Sequence, residues 1–374
     1  MLMRRKLCVA VVIAAILFLM LATQSMQGKH FLPLSLALPI SRATPIDEEM
    51  VGRPTVPPSG LTPRLPAKPP LPDTPKPEEE EESLGDTKTD QSRSCGCPES
   101  CISDLEGSDW FSQRYDPKQQ PIIKENNNNF DPSAIKWWLG LQRSGNDQTI
   151  EQVMEKMFKI VSPPTEDFKP SASRCRKCAV VGNSGNLQQS GHGSLINSHD
   201  FIFRMNKAVT RGYEKDVGNR TTYHILYPES AVDISPGVSL VLLPFKLRDL
   251  EWLTSALSTG EIKMTYMRVK ERVTADKDKV LVVNPVFFKY VTDRWTEHHG
   301  RYPSTGMLAI IFALHTCDQV SVFGYGADQQ GNWHHYWEQN RNAGAFRKTG
   351  VHSADYETEV IHRLAKEGKI NLHL

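Results

Sequence analysis

The sequence has almost no surplus of charge. Its 44 lysines and arginines face 43 aspartates and glutamates, a formal net charge of +1. A whole-chain field that weak gives no argument for a nucleic-acid partner. Internal repeats are absent, which excludes solenoids and propellers. The glycines never fall into the G-x-G-x-x-G spacing of a dinucleotide-binding loop, and no acidic residue follows the second predicted strand, which argues against a nicotinamide enzyme. Cysteine is scarce at seven residues. Cys175-Arg-Lys-Cys178 could be half a zinc site or a redox pair, but a zinc site wants a second close pair, and the sequence offers none that convinces.

Charge is also missing from Leu7 to Ala22, an apolar run behind Arg4, Arg5 and Lys6. The run is somewhat shorter than the roughly 20 residues of a usual span. It is nevertheless longer than a usual signal-peptide core, and Ala22-Thr23-Gln24 is a weak cleavage site, so an uncleaved anchor is expected over 7–24. The basic residues keep 1–6 cytosolic, which puts everything after Gln24 in a lumen. From 25 to 94 the chain is rich in proline, with an acidic run at Glu78 to Glu82 and few apolar residues after Ile46. Such a segment cannot bury enough surface to offset its chain entropy, and it reads as an extended stem.

Cys8 falls in the expected span, which leaves Cys95, Cys97, Cys101, Cys175, Cys178 and Cys317. An even number in an oxidising lumen predicts three disulfides, with the pairing left open. Asn219-Arg-Thr221 is a candidate N-glycosylation site.

The compact part is expected over 95–374. Ile150, Val153, Met154, Met157, Phe158 and Val161 fall at helical spacing behind a Thr149–Gln152 capping box. Further on, short β-like runs alternate with helical ones. Strands are expected at Ala179–Val181, Phe201–Phe203, 222–227, 238–245, 280–283 and 320–323. Helices are expected at 247–257, 307–315 and 356–366. That alternation predicts an α/β fold with a mostly parallel sheet flanked by helices. The stretch from Cys175 to Asn206 organises the rest. Two of its strands run into Asn183 and Asn206, so side-chain amides collect at the carboxyl edge of the sheet, where open α/β sheets bind ligands. The plainer alternative is that both asparagines are turn residues.

Three more places carry chemistry. Ser304 in Arg301-Tyr-Pro-Ser-Thr-Gly306 is a candidate cap for the apolar helix, which would set free N–H groups beside two hydroxyls as a phosphate site. His334 and His335 sit among aromatics in Gly331-Asn-Trp-His-His-Tyr-Trp-Glu338, where one could hold a metal or meet a phosphate. His352 precedes the last helix and has the side-chain chemistry of a base. Asp276-Lys277-Asp278 is a D-x-D sequence of the kind that can hold a metal, but its flanking lysines mark a solvated turn.

Taken together, these segments resemble the animal sialyltransferases from roughly Cys95 to the C-terminus. The family's long motif runs from Cys178 past Val217, its short motif from Tyr302-Pro-Ser-Thr-Gly306 to Gly326, its third is His335-Tyr-Trp-Glu338, and its very short one runs from His352 to Glu357. DRWTEHHGRYPSTGM and GNWHHYWE look most like the β-galactoside α-2,3-sialyltransferases acting on Galβ1,3GalNAc. The resemblance implies a Rossmann-like, glycosyltransferase-A variant fold with CMP-sialic acid as donor and no metal or other cofactor. By position, Asn183, Ser184, Asn206, Ser304, Thr305, Gly306, Gly326 and His335 would bind the donor. Gln142, Tyr266 and Tyr302 would hold the acceptor sugars, and His352 would be the catalytic base. The implied disulfides are Cys178–Cys317, Cys95–Cys101 and Cys97–Cys175. Tyr356 stands where relatives usually carry Phe, a swap not expected to matter. The implied location is the Golgi membrane in a single-pass type II arrangement, with stem cleavage and homodimerisation compatible with it. Acceptors would be galactose-terminated glycoproteins or glycolipids. Two other outcomes are kept in view: a preference for Galβ1,4GlcNAc, and a catalytically silent lumenal glycan-binding protein.

Overall fold

The computed structural model describes residues 94–374 except 126–129, 143–146, 166–167, 329 and 340–349. The expected tail, anchor and all of the stem but Ser94 lie outside the described residues. No helix among the described residues is long and apolar enough to cross a membrane.

Seven strands form one sheet: β1 Lys177–Val181, β2 Phe201–Met205, β3 Tyr223–Leu226, β4 Ser239–Leu242, β5 Val280–Val282, β6 Gln319–Phe323 and β7 Asn371–His373. Their order is β5-β4-β3-β2-β1-β6-β7, and every pairing is parallel. β1 to β4 are buried along nearly their whole length, as strands covered on both faces must be. The chain winds outward from β1 to β5, then returns to place β6 on the other side of β1. The carboxyl ends of β1 and β6 therefore flank a topological switch point.

The longer helices are α1 Pro132–Leu139, α2 Ile150–Phe158, α3 Leu247–Ala256, α4 Pro285–Arg294, α5 Thr305–Thr316 and α6 Ala354–Lys366. Alternate strand residues feed different cores. Cys178, Val180 and Phe203 pack with α4, α5 and α6, whereas Ala179, Val181 and Ile202 pack with Leu187, Ile196 and Val217. A third core joins Leu226, Leu240 and Leu242 to α2 and α3. α5 is apolar on nearly every side, which fits a helix buried all round.

α2 carries the expected capping box between Thr149 and Gln152, but it ends at Phe158, before the prolines at 163 and 164. The strand expected over 238–245 is trimmed to Ser239–Leu242. α1, α4 and β7 were not expected. The three disulfides pair Cys95–Cys101, Cys97–Cys175 and Cys178–Cys317, as the family resemblance implied. Asp276 accepts a hydrogen bond from the Gly237 N–H at 2.8 Å and Asp278 is exposed, so the D-x-D sequence is a solvated turn before β5. Asn219 lies on the surface.

Candidate active site at the switch point

β1 and β6 leave the sheet almost touching. The Gly182 N–H donates to the Phe323 carbonyl at 2.7 Å, and a Cβ on Gly182 would stand 2.2 Å from the Gly324 carbonyl oxygen. Only glycine allows that approach. The chain then diverges around a cavity of about 370 Å³.

Asn183 and Asn206, at the ends of β1 and β2, both line the cavity. The Asn183 amide donates to the Met205 carbonyl at 3.1 Å and so ties the two strand ends together. Its Oδ1 and the Oδ1 of Asn206 are buried without a hydrogen-bond partner among the described residues. Asn206 is also left-handed, with φ 59°. The turn reading of this residue therefore holds, and it does not exclude a ligand role. Unpaired buried acceptors are costly, and both of these belong to residues that line the cavity.

The start of α5 forms the opposite wall through Ser304, Thr305 and Gly306. Ser304 caps the helix, with Oγ accepting from the Met307 N–H at 3.1 Å. The Ser304 N–H donates to Glu357 Oε1 at 2.8 Å, and its hydroxyl donates to Glu357 Oε2. This corrects the expectation that its hydroxyl is offered to a phosphate: cap and carboxylate already occupy it. What faces the cavity is the helix start itself, with Thr305 and Gly306. Burial pushes the Glu357 carboxyl up to about 7, against the opposing pull of its two bonds from Ser304.

Gly306 is required where it stands. A Cβ there would meet the Tyr325 ring at 2.9 Å, and the Tyr325 hydroxyl donates to the Gly306 carbonyl at 3.1 Å. Ser184 pairs with His335 across a short antiparallel bridge. His335 lies at the cavity rim, stacked on Trp337 at 4.6 Å, with Nδ1 2.9 Å from Glu338 Oε1.

His352 closes the cavity. Gly300 and His352 form a bridge that lays the 350–352 segment along the chain before α5. His352 Nδ1 is 2.8 Å from the Tyr302 carbonyl. A carbonyl only accepts, so Nδ1 carries the proton and Nε2 is the basic nitrogen. Burial lowers the pKa of this ring below the ordinary histidine value, opposed by the bond to Tyr302.

The residues expected at the acceptor lie next door rather than in this cavity. Gln142 Nε2 donates to the Tyr302 hydroxyl at 3.1 Å. Tyr266 is 64% exposed, with the Lys246 ammonium 4.9 Å from its ring centre. Tyr302 joins the two regions, because its ring meets His352 edge-on at 5.1 Å while its hydroxyl faces Gln142.

The glycosyltransferase family 29 (sialyltransferase) profile matches residues 122–369. The chain belongs to this sialyltransferase family. It is similar to mouse CMP-N-acetylneuraminate-beta-galactosamide-alpha-2,3-sialyltransferase 2, at 53% identity over 281 residues, covering 75% of this chain and 80% of the relative. Human CMP-N-acetylneuraminate-beta-galactosamide-alpha-2,3-sialyltransferase 1 is 47% identical over 281 residues, 75% of this chain and 82% of the relative. A crystal structure of a mammalian sialyltransferase in complex with Gal-beta-1-3GalNAc-ortho-nitrophenol superposes with a TM-score of 0.68 at 44% identity, covering 75% of this chain and 98% of that one.

Within this sialyltransferase the nine residues expected to meet the donor or act as base share one cavity: Asn183, Ser184, Asn206, Ser304, Thr305, Gly306, Gly326, His335 and His352. Sequence reasoning missed Tyr325, Trp333 and Glu357 as cavity residues. Glu357 ends the very short motif, but its partner Ser304 is 53 positions away. It also gave Tyr356 no use for its hydroxyl, which donates to Glu297 at 2.7 Å while the ring stacks on His299 at 3.7 Å.

Proposed function

We propose that this sialyltransferase moves sialic acid from CMP-sialic acid to the 3-hydroxyl of galactose in Galβ1,3GalNAc, with inversion at the anomeric carbon. The observation that carries the reading is His352, held by its Nδ1–H in a cavity lined also by Asn183, Asn206 and the start of α5. The relatives' names supply the donor and the α-2,3 linkage, and the solved neighbour with a bound Galβ1,3GalNAc analogue supports the acceptor.

In this reading the Asn183 and Asn206 oxygens accept hydrogen bonds from the donor nucleotide. The carboxylate of sialic acid and the CMP phosphate lie toward the start of α5 and His335. His352 Nε2 takes the proton from the galactose 3-hydroxyl as that oxygen attacks the anomeric carbon, and CMP departs from the opposite face. The transition state is oxocarbenium-like, with negative charge growing on the phosphate. The helix start at Thr305 and Gly306 and the His335 ring stabilise that charge. One phosphate carries less charge than a diphosphate, so protein donors replace a metal. Asp276 and Asp278 are spent on a turn before β5, and β5 is the edge strand far from the switch point. Gln142, Tyr266 and Tyr302 hold the acceptor sugars.

The location is proposed from sequence: a Golgi membrane protein with cytosolic 1–6, an anchor over 7–24, a lumenal stem over 25–94 and the catalytic domain over 95–374. The test is transfer from CMP-sialic acid by the full chain in detergent, with Galβ1,3GalNAc and Galβ1,4GlcNAc side by side, with and without a chelator. Chelator-resistant transfer favouring Galβ1,3GalNAc is expected. Preference for Galβ1,4GlcNAc would overturn the acceptor assignment, and loss of transfer on chelation would overturn the metal-free mechanism.

A further inference from the structure

Lys246 stands immediately before α3, and its side chain is only 3% exposed. Its ammonium meets three oxygens: Asp249 Oδ1 at 2.7 Å, Gln142 Oε1 at 3.0 Å and Glu229 Oε1 at 3.1 Å. An ammonium has three donors and no acceptor; it hydrogen-bonds Gln142 and Glu229 and forms an ion pair with Asp249. Glu229 and Asp249 are as buried as the lysine, with 4% and 0% of their side chains exposed. Burying such a group is a poor way to gain stability, because desolvation opposes the attraction. What it does provide is fixed geometry, and the geometry here leads to the acceptor side of the site.

Two consequences follow from the cation. The first concerns Gln142. A glutamine amide can be flipped, exchanging its oxygen and nitrogen. Because the lysine can only donate, it holds Oε1 toward itself and so turns Nε2 toward the Tyr302 hydroxyl. The second concerns Tyr266, whose ring lies over the same ammonium. The loop that carries Tyr266 is tied down from the same hub, because the Thr265 hydroxyl donates to the Glu229 oxygen that also faces Lys246. One buried cation therefore sets the amide orientation of Gln142, through it the hydroxyl of Tyr302, and the placement of the Tyr266 ring.

We propose that Lys246 is a positioning residue for the acceptor disaccharide, acting through Gln142 and Tyr266 without touching either substrate. This rests on the assignment of Gln142, Tyr266 and Tyr302 to the acceptor. Without Lys246 the Gln142 amide can turn over, presenting an oxygen where the sugar hydroxyls meet a donor, and the Tyr266 ring loses the cation it packs against. Lys246, Gln142, Glu229, Asp249 and Tyr266 do not line the donor cavity, and Tyr302 links the two regions through His352.

The test is initial-rate kinetics on full-length Lys246→Met, varying acceptor and donor separately, together with hydrolysis of CMP-sialic acid in the absence of acceptor. The acceptor KM should rise about tenfold, the effect of one misplaced hydrogen-bonding group. Turnover at saturating acceptor should stay within about threefold, the pattern of lost ground-state binding. Donor KM and acceptor-free hydrolysis should be unchanged. An unchanged acceptor KM would overturn the proposal, as would an equal loss on the donor and acceptor sides. Should K246M fail to fold, the K246M/E229Q double variant removes the charge pair together and is read the same way. If that too fails to fold, Lys246 serves stability and the proposal is overturned. If the wild-type enzyme prefers another acceptor, the acceptor assignment above fails, and the KM comparison on that acceptor still decides the role of Lys246.

Discussion

His352 donates its Nδ1 proton to the backbone carbonyl of Tyr302 at 2.8 Å, so the residue that holds the proposed base also turns its hydroxyl to Gln142. The contact fixes the tautomer and aims the basic nitrogen. His352→Ala should lower turnover by about a hundredfold to ten-thousandfold, the usual range for a general base. CMP binding measured by calorimetry should be close to wild type. A folded variant with near-normal turnover would remove His352 from the mechanism.

The acid limb of the same reaction should lie low. Burial depresses the His352 pKa below 6.5, so the ring stays neutral, and competent as a base, further into acid than an exposed histidine. The pH profile of kcat/KM for the acceptor should therefore break below 6.5 on its acid side. A break well above that value would point to another group.

His335 is expected to act on the donor. Removing the ring in His335→Ala should weaken CMP binding about tenfold and lower turnover with it, because the phosphate contact grows as charge develops. Calorimetry with CMP and steady-state rates check the two effects together. Unchanged values of both would reject the phosphate role.

Glu357 makes stability depend on pH. Its carboxyl is raised in the folded state to about 7, from 4.5 unfolded, so the folded protein holds the proton more tightly. Its contribution is fully present below about 4.5 and is lost as pH rises through about 7. Glu357→Gln can still accept from the Ser304 N–H and carries no titrating proton. Thermal melts between pH 5 and pH 8, a range of about three units around that transition, should show a flatter dependence for the variant than for the wild type. Parallel curves would show that the carboxyl does not titrate there.

Tyr356→Phe tests whether the hydroxyl matters. It removes the bond to Glu297, whose carboxylate also pairs with Arg114. The site is partly exposed, so a cost of about 1 kcal/mol or less in denaturant melts, with unchanged turnover, is expected. A loss of turnover would show that this pair steadies α6 beside the active site.

Much of the site was legible because its signals are local. A strand ending in asparagine, a serine ahead of an apolar helix and a Thr149–Gln152 capping box each need only a few neighbouring residues. The strand alternation was enough for the parallel sheet. The starts of α1 and α4 were also written locally, as Asp131-Pro132 and Asn284-Pro285, with each polar side chain capping its helix. They went unread because aromatic and apolar runs there hide the helical period. β7 is too short to show a period at all. The Glu357–Ser304 and Lys246–Gln142 contacts join residues 53 and 104 positions apart, so no window of sequence could reveal them.

The parallel sheet separates two kinds of constraint. Cys178 is the second residue of β1, Cys175 comes just before the strand and Cys317 just before β6, so these bridges gather where the strands begin. The chemistry gathers where the strands end. A library built in the loops after β1 and β6 could therefore be screened for new donor or acceptor preference without disturbing the cross-links. An engineer would find the opposite pole unforgiving, since a change there puts oxidative maturation at risk while offering no new specificity.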